Sequence, residues 1–103
     1  MRIIYVIIWE YHVRAEHALE FEKFYSGNGV WAKLFNKSKD YLGTDLLRGE
    51  TDANGFLTID RWASLDAYNE FKANWQKEYE ELDSQCEYMT ELETLLGKYN
   101  LVT

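Results

Sequence analysis

Asn54-Gly55-Phe56-Leu57-Thr58-Ile59-Asp60-Arg61-Trp62-Ala63-Ser64-Leu65-Asp66-Ala67-Tyr68 reads as a turn, a strand and the start of a helix. Asn-Gly predicts a tight hairpin, because Gly lacks a Cβ and Asn tolerates the positive φ angles such a turn demands. The next residues alternate. Phe56, Thr58, Asp60 and Trp62 take one face; Leu57, Ile59 and Arg61 take the other. A strand that is apolar on both faces is expected to be covered on both. Ser64 stands where a helix N-cap belongs, and Asp66 adds negative charge at the positive end of the helix dipole. The capping box is incomplete, since Ala67 replaces the Glu or Gln that would reach back.

The same two-sided pattern opens the chain. Ile3 to Val13 reads as a first strand, with Ile3, Tyr5, Ile7, Trp9, Tyr11 and Val13 on one face. Ile4, Val6, Ile8, Glu10 and His12 occupy the other. The run is too short to span a bilayer, and Glu10 ends it without a cleavage site. A weakly capped helix is expected from about Ala15, carrying Ala18, Phe21 and Tyr25, and Ser26-Gly27-Asn28-Gly29 breaks it. Val30, Trp31, Leu34 and Phe35 fit a second short helix. Tyr41 to Gly49 reads as strand two. After Ser64, the spacing of Tyr68, Phe71, Trp75, Tyr79 and Leu82 predicts one long amphipathic helix, with Lys72 on a polar side. A short helical piece over 83–89 and a last strand, Glu91 to Leu101, complete the chain.

The order β-α-β-β-α-β predicts an α+β, ferredoxin-like antiparallel sheet with its helices on one face. All 103 residues fit a single domain. The other face of the sheet needs a cover, and a second copy packed face to face about a two-fold axis supplies one. A homodimer closing a barrel is therefore expected. The formal net charge of −7 argues against a nucleic-acid or anionic-membrane partner. A lone Cys86 excludes an internal disulfide and fits a cytoplasmic location.

Tyr41-Leu42-Gly43-Thr44-Asp45-Leu46-Leu47-Arg48, Leu57-Thr58-Ile59-Asp60-Arg61-Trp62-Ala63-Ser64 and Leu82-Asp83-Ser84-Gln85-Cys86-Glu87 resemble small bacterial antibiotic biosynthesis monooxygenases. So do Thr90-Glu91-Leu92-Glu93 and Leu96-Gly97-Lys98-Tyr99. The resemblance implies a dimeric α/β barrel with a pocket between sheet and helices. It also implies oxidation of small phenolic or polyketide-like compounds by O2 with no cofactor. Trp62 matches the family's Trp-x-Ser segment, and Tyr68 matches a pocket tyrosine. Thr58 stands where the oxygenases carry Asn. The haem-degrading branch of the family needs a ligand His in helix two, and the two histidines, His12 and His17, both lie near the N-terminus.

Oxygenation without a cofactor needs a substrate that supplies its own electrons once a base removes a proton. The expected substrate pocket is Thr58, Trp62 and Tyr68. Trp62 would offer its N–H, Tyr68 its hydroxyl, and Asp60 or His12 would accept the proton. No metal site is expected, because Glu10 and His12 lack a third ligand at metal spacing. Asp60 and Arg61 are expected to form separate salt bridges, and Cys86 to be an inert buried thiol. The alternative function is a non-catalytic, ligand-binding or stress-related dimer, in which Trp62 and Tyr68 are core residues.

Overall fold

A computed structural model describes residues 4–102. In chain order the elements are β1 (Tyr5–Val13), α1 (Ala18–Tyr25), α2 (Val30–Phe35), β2 (Tyr41–Arg48), β3 (Gly55–Trp62), α3 (Leu65–Asn74), α4 (Gln76–Cys86) and β4 (Thr90–Asn100). Single 3-10 turns at Ala15–His17 and Glu87–Met89 lead into α1 and β4. The strands form one antiparallel sheet in the order β2-β3-β1-β4. This is the ferredoxin-like α+β arrangement expected from the sequence. Ile3, placed in strand one by its apolar character, lies outside the described residues.

Strand β3 sets which face is which. Phe56, Thr58, Asp60 and Trp62 are buried, whereas Leu57, Ile59 and Arg61 are partly exposed. Directly paired residues share a face. Tyr11, Trp9, Ile7 and Tyr5 pair with Phe56, Thr58, Asp60 and Trp62, so they too lie beneath the helices. The layer between sheet and helices is largely aromatic. Phe21 stacks on Tyr25 with centroids 4.1 Å apart, Phe35 meets Trp62 at 5.5 Å, and Phe71 meets Trp62 at 5.1 Å. Such pairs contribute roughly 0.5–1.5 kcal/mol each beyond the area they bury.

Three local features decide how the elements meet. Ser64 caps α3 as expected, its hydroxyl accepting from the Ala67 N–H at 3.0 Å. Gly29 begins α2 where a Cβ would lie 2.6 Å from the Lys23 carbonyl oxygen and 2.7 Å from that of Phe24. In β2, Tyr41 pairs with Trp62 but Gly43 pairs with Arg61, leaving Leu42 as a bulge. Gly43 takes φ +121° there, a conformation that other residues adopt only under strain.

The hairpin and the long helix differ from expectation. Among the described residues Gly43 alone has positive φ, so Asn54-Gly55 does not form a tight primed turn. The β2–β3 connection is longer. The Gly49 N–H donates to the Gly55 carbonyl, the Gly55 N–H to the Asp52 carbonyl, and the Asn54 N–H to Asp52 Oδ1. An Asx turn thus replaces the Asn-Gly turn. The helix expected after Ser64 breaks at Trp75, which has φ −123° and ψ 26°. No Pro or Gly marks the break, and nothing nearby explains it. Lys72, expected on a polar side, instead lays its ammonium 3.5 Å from the centroid of the Tyr79 ring.

Two glycine substitutions separate rigid from yielding contacts. Gly29→Ala drives a methyl into backbone carbonyls and is expected to destabilise by about 2 kcal/mol. Gly97→Ala meets only the far end of the Tyr99 side chain and should cost much less. Urea melts of the two variants check the order.

Candidate functional site

β3 presents Thr58, Asp60 and Trp62 to the helices from alternate positions of one strand. Thr58 is buried, and its hydroxyl lies 3.5 Å from that of Tyr11. Trp62 is fully buried among Phe35, Tyr41, Tyr68 and Phe71, and its Nε1 has no hydrogen-bond partner among the described residues. Tyr68, from α3, sits against Trp62 with centroids 5.4 Å apart. Burial, helped by the nearby Asp60 carboxylate, pushes the Tyr68 hydroxyl up to about 12.

Asp60 is the distinctive group. Its carboxylate is buried, and its Oδ1 accepts from the Thr44 hydroxyl at 2.5 Å. Thr44 in turn contacts the Tyr41 hydroxyl. Among the described residues Asp60 has no salt bridge. Arg61 pairs with Asp45 at 2.7 Å instead, so the two separate salt bridges expected of Asp60 and Arg61 reduce to one. The parity of the strand explains this, since it turns Arg61 to the opposite face. Burial raises the Asp60 pKa to about 6, against the opposing pull of the Thr44 hydrogen bond and Arg61.

A cavity of about 30 Å³ lies between sheet and helices, lined by Trp9, Tyr11, Tyr25, Trp31, Phe35, Thr44, Thr58, Asp60 and Glu93. That is room for a water molecule, not for an aromatic ring. Thr58 and Asp60 line it, whereas Trp62 and Tyr68 lie outside its lining and pack as core residues. Of the three residues expected to form a pocket, this cavity thus takes in Thr58 and neither Trp62 nor Tyr68. Glu93 stands at its edge on β4. Partial burial, with Asp83 and Glu87 nearby, raises the Glu93 pKa.

His12 does not join this group. It pairs with Gly55 and Leu92 on the opposite face of the sheet, between Asp52 (Nδ1–Oδ2 3.4 Å) and Glu91 (Nε2–Oε2 3.6 Å). It therefore cannot take a proton from a ligand at Asp60. A wide concavity, about 770 Å³, also lies on that face, over Glu10, His12, Leu47, Asp52, Leu57 and Leu92. Its size reflects an open sheet surface, and the buried polar groups are on the other side. Cys86 is buried as expected, and burial raises its thiol pKa.

Sequence reasoning missed Tyr41, Thr44, Tyr11, Trp31 and Glu93. Alternation along β2 would have found Thr44 only if the bulge at Leu42 had been recognised.

No protein-family model matches the chain. No curated protein matches it either. Solved structures do. SnoaB, a cofactor-independent oxygenase from Streptomyces nogalater, superposes with a TM-score of 0.72 at 16% identity, covering 100% of this chain and 94% of that one. An antibiotic biosynthesis monooxygenase superposes at 0.63 and 14% identity, over 96% and 97% of the two chains. A conserved protein from Methanosarcina mazei superposes at 0.69 and 11% identity, over 96% and 92%. The chain shares the ferredoxin-like α+β fold of these structures. Identities this low carry the architecture and leave the chemistry to the site.

Stability should report on Asp60 directly. Because folding raises its pKa from 3.8 to about 6, the folded chain holds this proton more tightly than the unfolded chain between those values. The contribution is fully present below pH 3.8 and is lost as the pH climbs through 6, on the order of 3 kcal/mol at most. Asp60→Asn should remove that fall. Denaturant melts from pH 4 to 7 should show the variant gaining on the wild type as pH rises.

Proposed function

We propose that the protein is a cofactor-independent monooxygenase acting on a small, uncharged, electron-rich aromatic compound at the cavity beside Asp60. The observation that carries this reading is a buried carboxylate, free of any cationic partner among the described residues, facing an aromatic cavity. A base with a pKa near the working pH is suited to removing a proton from a weakly acidic carbon or phenol. Once Asp60 is protonated it is neutral, which is the form its burial favours. The substrate anion then gives its electrons to O2. One oxygen atom bonds to the substrate carbon, Asp60 returns its proton to the peroxide, and loss of water leaves a carbonyl. For a methylene carbon the sum is CH2 plus O2 giving C=O plus H2O. Apart from the tyrosines, the ionisable residues lining the cavity are the acids Asp60 and Glu93, which disfavour an anionic aromatic acid on charge grounds.

The chain acts, on this reading, as a homodimer. Leu92 and Tyr99 on the far face of the sheet are 60% and 51% exposed, and Leu47 and Leu96 lie beside them. An apolar surface of this kind calls for a partner, and a second copy matches it because the two-fold presents like to like. Sedimentation is expected to give twice the 12.3 kDa of one chain, and Leu92→Glu should return it to the monomer.

The small cavity favours one other reading. At about 30 Å³ it is too small for an aromatic ring as it stands. A barrel that never opens would be a non-catalytic dimer. Oxygen uptake with anthrone-type phenols decides between them. Uptake should fall at least about 100-fold in Asp60→Asn. Wild type at background across a broad panel would instead support the non-catalytic dimer.

A further inference from the structure

We propose that Tyr41 and Thr44 are positioning residues that clamp one oxygen of the Asp60 carboxylate and leave the other to meet a ligand in the cavity. The inference rests on the reading of Asp60 as the base, but its geometry stands apart from any reaction. Thr44 Oγ1 donates to Asp60 Oδ1 at 2.5 Å. Its only proton is then committed, so in the contact between Thr44 and Tyr41 the tyrosine hydroxyl must be the donor. The chain of donors runs one way, Tyr41 to Thr44 to Asp60. Each donor polarises the next, so Tyr41 strengthens the bond that Thr44 makes.

The bulge makes this possible. Residues three apart on a regular strand point to opposite faces. Tyr41 and Thr44 are three apart, yet they sit opposite Trp62 and Asp60, which share a face. The unpaired Leu42 and the positive φ of Gly43 shift the phase of the strand by one residue. β2 is the edge of the sheet, so the relay links the interior carboxylate to the sheet edge.

Other groups around Asp60 do not offer the same bond. Tyr11 comes from β1, Tyr25 from α1, Tyr68 from α3, Tyr79 from α4 and Glu93 from β4. Where these ionise they add negative charge, which raises the proton affinity of Asp60. Arg61, its neighbour on β3, lowers it from the other face while bound to Asp45. Thr44 is therefore the one hydrogen-bonding side chain here that stabilises the carboxylate form, and Tyr41 acts through it.

Carboxyl carbon NMR titration of Asp60 in the full chain tests the clamp without a substrate. Thr44→Val should raise the Asp60 midpoint by about one pH unit, a tenfold loss of acidity. Tyr41→Phe should raise it by less, and Thr44→Ser should restore it. The acid limb of the pH–rate profile should move in parallel. Near-UV circular dichroism reports folding, and if Thr44→Val does not fold, Tyr41→Phe decides. A midpoint unmoved in the folded variants overturns the clamp, whatever the activity does. A midpoint that moves as expected in a protein with no oxygen uptake leaves the clamp standing and removes the oxygenase reading instead.

Discussion

A carboxylate placed in an aromatic layer must be hydrogen-bonded or protonated, because desolvating an unpaired charge costs several kcal/mol. Strand β3 imposes that constraint on this fold. Its alternation carries Asp60 into the same layer as Phe56 and Trp62, and no cation among the described residues follows it there. The chain answers with a hydroxyl from the neighbouring strand rather than with an ion pair. A hydrogen bond from Thr44 stabilises the anion only in part, so burial still dominates and the proton affinity stays high. Replacing such a carboxyl by an apolar residue of similar volume is often neutral or stabilising.

How much of this was legible beforehand follows from the period of each element. β3 was readable because a strict period of two survives from Phe56 to Trp62. The Ser64 cap was readable because its partner is only three residues away. β2 was not, because one bulged residue reverses the phase, and Leu42-Gly43 looks like any other pair inside an apolar run. The same blindness affected His12. Its parity along β1 was plain, but both faces of β1 begin apolar, so parity could not say which face the helices would cover. Only the pairing of Tyr5 with Trp62 fixes that. The Asn54-Gly55 signal failed for a different reason. The Asp52 side chain and the Gly49–Gly55 pair close the loop earlier, and the local preference for a tight turn gives way to it.

The two faces of the sheet divide the work. Beneath the helices, rings fill almost all the space and polar groups are few. On the far side, Ile8, Leu57 and Ile59 are half-buried by their own neighbours, and Leu92 and Tyr99 stand out from β4. Gly97, between them on the same strand, leaves room for the Tyr99 hydroxyl to fold back over the backbone. That lays an aromatic plate across the strand and presents a flatter surface. The break at Leu42-Gly43 belongs to the opposite edge, so the irregularities of the sheet sit at its two outer strands while β1 and β3 stay regular.

This separation explains how a buried polar cluster is accommodated on such a small scaffold. The central pair of strands carries most of the aromatic contacts and tolerates little change in phase, since a slip of one residue would turn Trp62 and Phe56 outward. Edge strands have only one neighbour to satisfy. A bulge in β2 therefore alters which side chains meet Asp60 without disturbing the register of β1 on β3. The positive φ at Gly43 is the local cost of that freedom, and its effect is to bring two hydroxyls to a carboxylate that the central strands had already buried.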